Sequence, residues 1–244
     1  MMTERQEHEV MNYLIAQNLP LDILLEIKDH IISQILDIQL HENMSFDRAF
    51  SKAKESWKGE FETVGYLMFS SVKIPVIAKR IIKEKYNGFL KKSFVLGLLF
   101  FGINLMLIYL SGSQNEYRIL FRVFNGLFLL AMGCTWLLNF RIWKYMRTDF
   151  KYKGKCFYTM YQQNMGLMIT CMIAMVQITG KNGQYAYQFF RENSTQNVLM
   201  LIITLMVPFL VQTFCTFTLF NFFEHKKTLK KIQDFLQSPT TVSH

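Results

Sequence analysis

Up to Trp57 the apolar residues recur at steps of three and four; beyond Ser93 they merge into long unbroken runs. The first pattern is that of short amphipathic helices. Val10, Tyr13 and Leu14 share one side of a helix from about Thr3 to Gln17, which Asn18-Leu19-Pro20 breaks. Leu24, Ile27, Ile31, Ile35 and Ile38 give a second helix, from Leu21 to about His41, with one buried face. Asn43-Met44-Ser45 makes a turn, and Ser45 is placed to cap the next helix. Phe46, Ala49, Phe50, Ala53 and Trp57 repeat the spacing, and Gly59 supplies a stop. The predicted head core is Leu24, Ile27, Ile31, Ile35, Phe46, Ala49, Phe50 and Trp57.

The second pattern belongs to a different solvent. A hydrocarbon core about 30 Å thick needs roughly 20 mostly apolar helical residues. Four runs qualify, at about 94–110, 120–140, 160–178 and 198–223. The third is the weakest, because Gln162, Gln163 and Asn164 open it; Pro208 is expected to kink the fourth. The expected fold is all-α, an N-terminal cytoplasmic bundle of short helices followed by a four-helix transmembrane bundle. Its parts are a head over 1–71, a basic juxtamembrane linker over 72–92, a membrane domain over 93–223 and a basic tail over 224–244.

Charge sharpens this division. Twelve Asp or Glu and six Lys or Arg precede Thr63, whereas between Lys85 and Phe223 the acids are Glu116, Asp149 and Glu192 alone. Seventeen basic residues flank every second end of the runs: Lys73 to Lys92, Arg141 to Lys155, and Lys226 to Lys231. Four fall at the other ends: Arg118, Arg122, Lys181 and Arg191. The positive-inside rule then places both termini in the cytoplasm of a cytoplasmic (inner) membrane protein, and it supports the weak third span. Tyr185, Tyr187, Phe189 and Phe190 fit an aromatic belt on the outer side. Met1 to Gln17 has no apolar signal-peptide core.

In the linker, Ile74, Ile77, Ala78, Ile81, Ile82 and Tyr86 interleave with Lys79, Arg80, Lys83 and Lys85, and Lys91-Lys92 follow. Such a helix is expected to lie on anionic lipid, at roughly 1 kcal/mol per basic residue near the surface, rather than on nucleic acid. Asn87-Gly88 would break it before the first span.

Chemistry in the membrane half is sparse. The four runs hold no Asp, Glu or His, which argues against carboxylate-coupled transport and intramembrane metal hydrolysis. What remains polar is Asn104, Asn125, Asn139, Gln177, Thr204, Gln212, Thr213, Thr216 and Thr218. Interhelical hydrogen bonding, at about 0.6–2 kcal/mol each, is preferred to a polar ligand path. Met165, Met168, Met172 and Met175 have helical spacing, and adaptable packing is preferred there to a soft-metal ladder. Cys134, Cys156, Cys171 and Cys215 form no CxxC pair and read as small hydrophobes. No catalytic group, cofactor or metal is expected; Ser111 and Cys156 have no histidine near in sequence.

The run Glu26-Ile27-Lys28-Asp29-His30, followed by Phe46-Asp47-Arg48-Ala49-Phe50 and Trp57, resembles the short helical cytoplasmic module known as the HAAS type. That module precedes transmembrane segments in many bacterial membrane proteins, often encoded beside PadR-type regulators. The resemblance covers roughly a quarter of the chain. It implies a sensory or regulatory membrane protein and no enzymatic activity.

On the polar side of the second helix lie Glu26, Asp29, His30, Ser33 and Asp37. Glu26 and His30 are four apart and can meet on one face, but no second histidine stands at a metal-binding offset. A solvated strip is the plain reading, and a docking face for a partner is the functional one. The expected function is a regulatory, signalling or adaptor protein that binds membrane lipids and a cytosolic or membrane protein. The alternative is a subunit of a small transporter or channel.

Overall fold

The computed structural model describes residues 2–17, 19–65, 73–139, 160–181, 184–193 and 198–237. The Arg141–Lys155 connection, the end of the second run at Phe140, Cys156 and the tail beyond Gln237 lie outside the described residues. So do the side chains of Gln162, Gln163, Asn164 and Met165. The described chain is predominantly helical and forms two compact units. One takes residues 2–86 and 226–237, the other 87–139 and 160–225.

The head begins with α1 (Glu4–Ala16), α2 (Leu21–Glu42) and α3 (Phe46–Trp57), followed by a 3-10 turn over Lys58–Phe61. A capping box starts α1: Thr3 Oγ1 accepts from the Gln6 amide, and Gln6 Oε1 accepts from the Thr3 amide at 2.9 Å. Asn43 ends α2 in the left-handed region, at φ 51°, where an Asn side chain costs little. Ser45 does precede α3 in extended conformation, but its side chain makes no cap bond.

Leu24, Ile27, Ile31, Ile35, Phe46, Ala49 and Phe50 are buried in one core with Val10, Met11 and Leu14. Trp57 packs at its margin instead of inside it. Its indole N–H donates to Gln34 Oε1, and Gln34 Nε2 donates to Ser56 Oγ, so a polar bridge ties α2 to the end of α3.

Two features of the head depart from the sequence expectation. First, a small antiparallel sheet pairs β1 (Thr63–Gly65) with β2 (Lys73–Pro75), Val64 opposite Ile74. Second, the head does not stop near residue 71. Ile77 and Ala78, at the start of α4 (Val76–Leu110), belong to the head core, with Ile81 packed against it. The apolar face assigned to lipid is therefore covered by protein. Phe235, near the end of the last helix, packs on the same core. Asn87-Gly88 does not interrupt α4; one Gly costs a helix only about 1 kcal/mol, and the apolar run beyond it sustains the helix.

The membrane unit contains the rest of α4, then α5 (Gln114–Leu138), α6 (Met160–Lys181), α7 (Gln184–Glu192) and α8 (Val198–Gln237) as far as His225. Three of these helices, α4, α5 and α8, are long and apolar enough to cross a membrane; in α6 the apolar stretch is the shorter Met168–Gly180. Many of the apolar side chains point outward. Only 22% of the apolar window of α4, and the same share of α5, is buried, and Leu99, Leu127, Leu130, Ile173, Val176 and Ile202 are exposed. Polar groups lie within, including Asn104, Asn125 and Gln212. This inversion suits a hydrocarbon solvent and is the pattern of a membrane protein.

Two contacts fix helix positions. A Cβ placed on Gly97 of α4 would collide with Thr213 Oγ1 of α8, so only glycine permits that approach. Phe94 and Phe101, either side of Gly97, meet Phe209 edge-on at 5.8 and 5.7 Å. At the end of α6, Arg122 donates to the Gly180 carbonyl at 2.8 Å and opposes the negative pole of that helix. Tyr187 of α7 is buried and stacked on Tyr117, so it belongs to the bundle and not to an outer belt, whereas Phe190 remains exposed.

Candidate functional site

Three of the intramembrane amides converge. Asn104 comes from α4, Asn125 from α5 and Gln212 from α8, and all three are buried. Gln212 Nε2 donates to Asn125 Oδ1 at 2.9 Å, and Asn125 Nδ2 donates to Asn104 Oδ1 at 3.1 Å. Asn125 Nδ2 also reaches the Phe121 carbonyl at 2.9 Å, and Asn104 Nδ2 the Phe100 carbonyl at 3.1 Å. Donation runs one way, from Gln212 through Asn125 to Asn104 and the Phe100 carbonyl, and Gln212 Oε1 has no hydrogen-bond partner among the described residues. Gln177 stands apart, exposed on α6.

The threonines of α8 do not extend this network as donors. Thr204 donates to the Met200 carbonyl, Thr213 to that of Phe209, Thr216 to those of Gln212 and Thr213, and Thr218 to that of Cys215. Their protons are spent on their own helix. What the amides can do is lock the rotation of three helices about a common point. Each amide has two ends, so a helix turned out of phase would leave a donor or acceptor bare in an apolar medium.

On the head, the second candidate is the outward side of α2. Asp29, His30, Ser33 and Asp37 are exposed. Glu26 differs: it is half-buried and pairs with Lys85 at 3.2 Å. Sequence reading missed Leu40, which is 79% exposed. It lies three residues after Asp37 and off the Leu24–Ile38 series, and that phase error was the available signal. His30, Ser33, Asp37 and Leu40 thus follow one another along the helix at steps of three and four, ending on an uncovered leucine.

The basic residues of the linker divide in the same way. Lys79 donates to the Gly65 carbonyl at 2.9 Å, Arg80 pairs with Glu60 at 2.7 Å and Lys85 pairs with Glu26. Lys83, Lys91 and Lys92 are exposed. Half of the cations assigned to lipid therefore hold the head together as well.

The chain matches no protein-family model, no curated protein and no solved structure.

Proposed function

We propose that this is a regulatory or adaptor protein of the cytoplasmic membrane, without enzymatic activity of its own. Its helical head engages a protein partner in the cytoplasm. Four spans, including α6, anchor it with both termini on the cytoplasmic side, and Lys83, Lys91 and Lys92 contact anionic lipid. The basic residues clustered at alternate ends of the apolar runs support this topology. The resemblance of the head to the HAAS type supports the regulatory role.

The observation that carries the docking reading is the stripe of α2. His30, Ser33 and Asp37 are exposed beside a leucine with 79% of its surface uncovered, on a helix whose other side is fixed in a core. An acidic surface with one apolar foothold suits a basic partner, steered by charge and held by contact. The transport alternative has less support, because the bundle amides bond one another and the α8 hydroxyls bond their own carbonyls.

The test uses the full chain with a photo-crosslinking residue at Ser33, expressed in cells. A discrete crosslinked species is expected, and Asp37→Lys with Leu40→Asp should abolish it while thermal melting stays unchanged. Absence of any crosslink from Ser33 would sink the proposal. Truncating the chain at Glu62 would not serve, since it would strip the core from Ile77 and Ala78.

A further inference from the structure

Six sulfur-bearing side chains from three helices meet in one cluster of the membrane unit. α6 supplies Met168, Cys171, Met172 and Met175; α5 adds Met132 and α8 adds Cys215. The four on α6 are spaced i, i+3, i+4 and i+7, so they share one helix face. Met175 and Cys215 are fully buried, and Met132, Met168 and Cys171 nearly so. Both cysteines carry free thiols.

Sulfur is unevenly distributed between the two cores of this unit. The neighbouring core of the same unit is Ile108, Tyr117, Phe121, Ala186, Tyr187 and Leu201, with no sulfur among its buried members. There, aliphatic and aromatic side chains fill the same kind of space. In the sulfur cluster, Phe128 and Val211 are the other buried members among the described residues. A ladder on α6 would be ordinary by itself; here a thioether from α5 and a thiol from α8 join it in one cluster.

We propose that Cys171 and Cys215, with thioethers from Met132, Met168, Met172 and Met175, form a binding site for a soft monovalent cation of the Cu(I) or Ag(I) kind. Thiolate and thioether sulfur select such ions over hard cations, which require oxygen. Charge gives the same answer. The thiol S–H bond of one cysteine breaks, its proton leaves to water, and a sulfur–metal bond forms. The second thiol and up to two of the thioethers then donate lone pairs to the same ion, and no oxidation state changes. One monovalent ion replacing one proton leaves the site neutral, as an apolar interior demands. This site is independent of the docking role of the head.

The experiment uses the full chain in detergent micelles, with Cys134 and Cys156 replaced by Ala to remove competing thiols. Cu(I), held reduced by ascorbate, is titrated against bicinchoninate, and Ag(I) is titrated in parallel. One tightly held equivalent is expected, with a sulfur-only first shell in X-ray absorption. Cys171→Ala with Cys215→Ala should weaken binding by about a hundredfold or more, and Met175→Leu by about tenfold. Met175→Leu nearly conserves volume, so an unchanged metal-free melting temperature would separate lost ligation from lost folding. Failure to compete with the chelator, a nitrogen or oxygen shell, or undiminished affinity in both variants would overturn the proposal.

Discussion

Gln212 Nε2 donates to Asn125 Oδ1 at 2.9 Å, joining residues 87 positions apart in sequence through side-chain amides alone. Removing one member strands the others. Asn125→Leu leaves Gln212 and Asn104 without their mutual partner and should destabilise the bundle by about 1–3 kcal/mol. Replacing Asn104, Asn125 and Gln212 together by Leu should cost less than Asn125→Leu alone, because no polar group is left bare. Unfolding titrations in mixed micelles measure both. Strict additivity of the three single changes would refute the network.

Gly97 offers a steric test of the α4–α8 contact. Its added Cβ would meet Thr213 Oγ1, and that oxygen is held by a 2.8 Å bond to the Phe209 carbonyl. Gly97→Ala should destabilise by about 1–3 kcal/mol through overpacking. Thr213→Ala in the same chain should recover part of the loss. Gly102 has nothing within 4 Å of an added Cβ, so Gly102→Ala should leave the melting temperature essentially unchanged.

The start of α4 separates burial in protein from burial in lipid. Ile77 is 5% exposed and shares a core with Ile27 and Phe50. Ile77→Ala should therefore destabilise the head by about 2–5 kcal/mol, read as faster limited proteolysis of residues in α1 to α3. Lys83→Ala, on the exposed side, should not change that rate. If vesicles but not micelles protected the Ile77→Ala chain fully, the lipid reading of this face would return.

Topology is open to labelling. In a cysteine-free chain, Ser113→Cys should react with a membrane-impermeant maleimide from outside intact cells, and Lys227→Cys only after lysis. The second position reports on α6. If Met160–Lys181 did not span, α8 would run outward and Lys227→Cys would label from outside.

Periodicity revealed those parts of the fold that depend on neighbours in sequence. Leu24, Ile27, Ile31 and Ile35 announce their buried face because α2 has one core to meet. Ile77 and Ala78 announce an apolar face equally well, but a lipid surface and the underside of a helical head demand the same pattern. The choice lies in contacts with α1 to α3, far away in sequence. The β1–β2 sheet was hidden because three-residue strands are too short for alternation to register. The identities of Asn104, Asn125 and Gln212 were legible as candidates. Their meeting, and the separation of Gln177, depend on how each helix is rotated about its axis, which packing such as Gly97 on Thr213 decides.

The bridge from Trp57 to Gln34 has an optical consequence. The chain has three tryptophans, and the other two, Trp136 and Trp143, lie beyond the head in sequence. With Phe at those two positions, all indole fluorescence arises from a ring stacked on Phe61 at 6.0 Å and hydrogen-bonded to α2. Loosening of α3 from α2 frees that N–H to water and shifts the emission to the red. The head thus carries a native reporter of its own integrity, readable while the bundle stays embedded in micelle or bilayer.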